Sequence, residues 1–153
     1  MNELGNPKEF ALAGNATITL ESENTGKHFT YKIKQADDNE NVYFVKLLVN
    51  ADNENDYRYI GVYYKDTGYF HPCKKWREVA IFYWPASMRA IKYFFNRIDN
   101  LPTKLHVYHE GRCGKCGRKL TTPESIKRGF GPECLKLGFI DKNFNWQNEL
   151  QNG

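Results

Sequence analysis

The chain has 153 residues, a net charge of +4, and 41% hydrophobic and 15% aromatic side chains. That length holds one ordinary core, or a modest core with a metal-stapled appendix, and the composition excludes wholesale disorder. No apolar run reaches the roughly 20 residues of a membrane-spanning helix, and the first residues, MNELGNPKEF, carry neither the basic nor the apolar region of a secretory signal, so a cytoplasmic protein without a membrane partner is expected.

Residues 16–20 (ATITL) and 29–33 (FTYKI) alternate with period two and flank the turn-forming stretch ESENTGK, which predicts a hairpin with Gly26 in its turn. Residues 37–41 are polar and loop-like. Residues 42–49 and 57–64 are rich in β-branched and aromatic side chains and are separated by a block of turn formers, NADNEND. Asp66-Thr67-Gly68 then reads as a turn before Tyr69-Phe70. These runs predict an antiparallel β-meander of four or five strands.

A helix is predicted near residues 85–98, with Pro85 in its first turn. Met88, Ile91, Phe95 and Ile98 recur at helical spacing with Phe94 beside them, and that stripe should pack on the sheet. Arg89, Lys92, Asn96 and Arg97 fall on the other side. Asn100-Leu101-Pro102 breaks the helix, and residues 104–108 alternate again as a short strand that delivers His109. The expected class is α+β, the meander and one packed helix being followed by a small metal module of treble-clef or zinc-ribbon type. Residues 1–103 form the sheet-and-helix domain, 104–140 the metal module and 141–153 a polar tail.

Residues 109–134 read HEGRCGKCGRKLTTPESIKRGFGPEC and place His109, Cys113, Cys116 and Cys134 at metal-ligand spacing. Zinc takes four N or S ligands in a tetrahedron, and a closed Cys3His set leaves no position for water, so a structural Zn2+ site is expected. Cys113-Gly-Lys-Cys116-Gly117 has the form of a knuckle that presents two thiolates to one ion, its glycines letting N–H groups approach the sulfurs. Thr121 and Glu124 are spaced as a capping box, Pro123 suits a first helical turn, and Gly131-Pro132-Glu133 would start a second helix carrying Cys134. A helix start favours a thiolate there. The fourth ligand stays open: His109 fits by spacing, His106 points to the opposite side of the same strand, and Cys73 is the main competitor. Clustered thiols without a disulfide framework fit a reducing compartment.

Charge is unevenly spread. Residues 1–103 hold thirteen basic and thirteen acidic side chains, whereas residues 104–136 hold eight basic and three acidic. The excess is concentrated in Arg112, Lys115, Arg118, Lys119, Lys127 and Arg128, as expected for a polyanion partner such as nucleic acid. Tyr57, Tyr59, Tyr63 and Tyr64, with Lys74, Lys75, Trp76 and Arg77 nearby in the chain, add aromatics able to stack unpaired bases.

Residues 109–134 resemble a family of unknown function found mainly in phage, prophage and plasmid proteins, through the pattern that runs from His109 by Cys113, Cys116, Pro123-Glu124-Ser125-Ile126, Gly129 and Gly131-Pro132 to Cys134. Upstream residues, among them Phe10 to Ala16, Gly26, Phe29-Thr30-Tyr31, Asp56-Tyr57 and Ile60-Gly61, are similar to the region that precedes the motif in such proteins. The resemblance implies a mobile-element origin and a zinc site that includes His109, and it implies no activity.

No phosphate-binding Gly loop or Ser/His/Asp signature occurs in the chain, so no catalytic residue is assigned and the expected role is non-enzymatic. Two partners fit: nucleic acid bound through the basic zinc module, or a host nucleic-acid-processing protein, such as a defence nuclease, that a phage-encoded inhibitor binds and blocks. The partner's identity and the oligomeric state are not legible.

Overall fold

The computed structural model of the chain describes residues 2–50, 55–120 and 123–131. Strands β1 (Asn2–Glu3), β2 (Asn15–Ser22), β3 (His28–Ala36), β4 (Asn39–Leu48), β5 (Tyr57–Tyr64), β6 (Tyr69–Pro72) and β7 (Leu105–His109) form one sheet in the order β1-β7-β2-β3-β4-β5-β6. Every pairing in it is antiparallel. The α+β class is as expected, and β2 to β6 form a five-stranded antiparallel meander; among the described residues β7 and the unexpected β1 extend its sheet to seven strands. Strand β1 is two residues long, too short to show alternation. Strand β7 returns from far along the chain to lie between β1 and β2, so it belongs to the sheet and not only to the segment that follows it.

Among the described residues, four α-helices accompany the sheet: α1 (Pro7–Ala11), α2 (Lys74–Arg77), α3 (Ala86–Asn96) and α4 (Pro123–Arg128). Helix α1 was not expected from periodicity, yet its start is well specified. Asn6 caps it, accepting from the Glu9 N–H at 3.4 Å and donating to the Glu9 carboxylate at 2.8 Å, with Pro7 in the first turn. Helix α3 buries Met88, Ile91, Phe94 and Phe95, the predicted stripe, with Pro85 as its cap residue and not its first turn. Phe95 stacks on Tyr63 at 4.1 Å and on Phe70 at 5.8 Å, so the helix is keyed to β5 and β6 by aromatic rings. No helix among the described residues is long and apolar enough to cross a membrane.

The start of α3 has no side-chain cap. The fully buried Tyr31 donates its hydroxyl to the Ser87 carbonyl at 2.6 Å, which ties the first turn of α3 to β3, and burial raises the Tyr31 pKa. Tyr31→Phe removes this bond while the Ser87 carbonyl keeps its helical partner, the Ile91 N–H, so the expected loss is about 0.5–1.5 kcal/mol. Urea denaturation measures it, and an unchanged midpoint would show that this bond contributes nothing net.

Strand β5 breaks its own alternation. Val45 pairs with Gly61 and Lys46 pairs with Tyr59, so Ile60 is an extra residue opposite β4. Ile60 and Gly61 both turn to the core, and a Cβ on Gly61 would lie 2.6 Å from the Phe70 ring and 2.4 Å from the His71 carbonyl. Only glycine lets Phe70 close over the bulge. Beyond it the phase is reset, so Tyr57 and Tyr59 share a face with Val62 and Tyr64 while Tyr63 enters the core.

Candidate functional site

The segment after β7 folds back as a small hairpin. The Cys113 N–H donates to the Arg118 carbonyl at 2.8 Å, the Gly117 N–H to the Cys113 carbonyl at 2.8 Å, and the Leu120 N–H to the Gly111 carbonyl at 2.8 Å. Arg112 and Lys119 form an isolated antiparallel bridge between the two arms. Cys113 is buried and Cys116, at the tip, is exposed. The tight turn expected over residues 113–117 is present, with its glycine N–H groups turned to carbonyls: Gly114 donates to Gly129 at 2.9 Å.

A junction of rings holds the hairpin against the sheet. Phe10 of α1 lies 5.5 Å from both His109 and Phe130. Helix α4 ends at Arg128, and Gly129, at φ +83°, donates to the Ser125 carbonyl at 2.8 Å. A Cβ there would sit 2.7 Å from the Phe10 ring, so glycine is required both for the left-handed turn and for the close approach. The Thr121–Glu124 capping box lies partly outside the described residues.

His109 is the centre of this junction. It is fully buried on the core side of β7. Its Nδ1 accepts from the Gly111 N–H at 3.0 Å, and its Nε2 bonds the Ile126 carbonyl. Burial, the largest influence, lowers its pKa, and the Ile126 bond opposes that shift. A neutral ring with Nε2–H donating and the Nδ1 lone pair accepting satisfies both contacts. In this geometry neither nitrogen has a lone pair left for a metal, so ligation by His109 requires exchange of one bond.

The other candidates for the fourth ligand are placed elsewhere. Cys73 precedes α2 at the end of β6, and β6 is the outermost strand on the far side of the sheet. At about 4.8 Å per strand spacing it is roughly 24 Å from β7. His106 points away from His109 and bonds the Glu3 carboxylate at 2.5 Å, which raises its pKa. Among the described residues, no group of three or more His, Cys, Asp or Glu is gathered to hold a metal. Cys134, the third thiol of the expected set, lies outside the described residues.

Of the six basic residues expected to meet nucleic acid, Arg112, Arg118 and Lys119 are exposed on the hairpin arms, while Lys115, Lys127 and Arg128 are half-buried. Arg112 donates to the Gly117 carbonyl at 3.2 Å, and Arg128 donates to the Ser125 hydroxyl at 3.3 Å. Arg118 and Lys119 form no ion pair with the described residues.

The hairpin borders a cavity of about 390 Å³ lined by Asn15, Thr17, Lys32, Tyr57, Glu110 and Arg112. Glu110 accepts from the Thr19 hydroxyl at 2.7 Å, and the Lys32 ammonium lies 4.3 Å from the Tyr57 ring. The Tyr57 hydroxyl is buried with no hydrogen-bond partner among the described residues. Burial, and secondarily Glu110, push its pKa up to about 12, which keeps it a neutral donor.

Of the four tyrosines singled out in β5, Tyr63 is buried in the core and cannot stack on a ligand. The basic residues 74–77 lie on α2, beyond β6. Lys32, Lys34, Phe44 and Lys46 carried no motif in the sequence, and only the strand register brings them beside Tyr59.

Residues 103–137 match the model of a family of unknown function (DUF6011). The chain matches no curated protein and no solved structure.

Proposed function

We propose that the chain is a non-enzymatic, zinc-stabilised accessory protein of a phage or related mobile element, and that it binds nucleic acid through the basic surface of its knuckle. The exposed cations Arg118 and Lys119, which form no ion pair among the described residues, lie beside Arg112 on the same hairpin and carry this reading. Cations that no carboxylate neutralises can meet phosphates without first breaking an internal pair. Cys113 and Cys116 at the knuckle fit two thiolate positions, Cys134 is the proposed third, and His109 takes the fourth after giving up a ring bond. The zinc would link the hairpin to the following segment and supply folding energy, with no catalytic step.

Anisotropy titrations with labelled DNA and RNA test the reading. Affinity should fall steeply between low and physiological salt. Arg118→Glu and Lys119→Glu should each weaken binding and flatten the salt slope by about 1. No binding to any nucleic acid at low salt, or unaltered affinity in both variants, would discard the knuckle surface.

A second reading, an inhibitor that blocks a host nucleic-acid-processing protein, is favoured by a separate feature. The 3-10 turn Ile81–Tyr83 exposes Ile81, Phe82 and Tyr83 at 47%, 78% and 72%. Such an apolar ledge suits a protein anchor. A pull-down from host cells, eluate analysed for both protein and nucleic acid, separates the two.

A further inference from the structure

Helices α1 and α3 cover only one face of the sheet. Tyr31 and Tyr43 point their hydroxyls that way, to the Ser87 and Leu12 carbonyls. On the opposite face the strand register builds two adjacent rows. One runs Lys34–Phe44–Val62–His71, and the next runs Thr17–Lys32–Lys46–Tyr59. Neither row contains a carboxylate. Phe44 and Tyr59 are 43% and 46% exposed. They sit diagonally across β4 and β5, Phe44 opposite Val62 and Tyr59 opposite Lys46. The β5 bulge is what turns Tyr59 to this side, next to Phe44 and Lys46.

The rows are continuous with the knuckle. Lys32 belongs to the second row and also lines the cavity that Arg112 closes from the hairpin. The Tyr57 hydroxyl, which has no hydrogen-bond partner among the described residues, belongs to a residue lining the same cavity. A run of lysines and rings thus leads from mid-sheet to the cavity, where Glu110 sits among Lys32, Tyr57 and Arg112, and on to the hairpin.

We propose that this sheet face is a platform for single-stranded nucleic acid. Bases stack on Phe44 and Tyr59, and the sugar–phosphate chain passes over Lys34, Lys46 and Lys32 to Arg112. This rests on the nucleic-acid reading above and adds the strand state and the contact surface. Bases in a duplex are already stacked on one another, so exposed side-chain rings select unpaired ones. A protein partner is the weaker match, because lysine is depleted at the centres of protein interfaces and here it alternates with the rings.

The test is anisotropy with labelled oligothymidylate and with a hairpin duplex of equal length, using the full chain. Wild type should prefer the single strand. Phe44→Ala and Tyr59→Ala should each weaken single-strand binding by about 5- to 100-fold, with thermal midpoint and zinc content unchanged, since both side chains are exposed. If both variants keep wild-type affinity while Arg118→Glu loses it, the platform is discarded and the knuckle reading stands. Tighter binding of the duplex than of the single strand also discards the platform. If wild type binds neither oligonucleotide at low salt, both readings fall.

Discussion

His109→Ala is expected to destabilise the protein by about 3–5 kcal/mol, combining a cavity with two unpaired backbone groups. The imidazole is fully buried, receives the Gly111 N–H and bonds the Ile126 carbonyl, so alanine strands both partners at once. The loss also removes one wall of the Phe10 contact through which the 123–131 segment docks. Domains of this size hold only about 5–15 kcal/mol in total, so much of the fold's margin would go. Chemical denaturation measures the effect, and an unchanged midpoint would refute the role of His109 as a pin. Glutamine, whose amide can remake one of the two bonds, should recover part of the stability. Zinc content then distinguishes the two roles of this residue: a pin tolerates His109→Gln with the metal retained, whereas a ligand loses it.

Cys116→Ser is expected to abolish zinc binding and loosen the hairpin and α4. Cys116 is exposed at the tip of the knuckle. On an ordinary surface, such a substitution changes stability by no more than about 0.5 kcal/mol. A structural zinc, by contrast, holds about 10–16 kcal/mol of apparent binding energy in small zinc-finger peptides, and that energy is folding energy. The contrast makes this exposed thiol more diagnostic than the buried Cys113, whose replacement disturbs packing whether or not a metal binds. Elemental analysis should find one zinc per chain in wild type and almost none in the variant. Limited proteolysis within residues 112–128 should accelerate to match. A variant with wild-type stability, or a wild type without zinc, would overturn the metal assignment.

The gaps between sequence and structure have identifiable causes. Strands β2 to β5 were legible because each holds eight or more residues with strong alternation or β-branched content. Helix α3 was legible because its apolar positions recur at helical spacing. Helix α1, at five residues, is too short to show a period, although the Asn6-Pro7 start signal was present. The tight turn at residues 113–117 was legible because its turn glycines are local in the chain. That His109 is held by two backbone groups was not, because Ile126 reaches it only after α4 folds back onto β7.

Taken alone, the amino-acid order determined the α+β class, the main strands, the amphipathic helix, the CxxC turn and the concentration of positive charge in residues 104–136, all properties that reside in short windows of chain. Tertiary structure alone decided that β7 lies between β1 and β2, that Cys73 sits at the far edge of the sheet, and that Tyr59 joins Phe44, Lys46 and Lys32 on the face opposite α1 and α3. A single unpaired residue, Ile60, resets the side-chain phase of β5, and the two-residue repeat by which a strand's faces are foretold carries no mark of where such a reset falls.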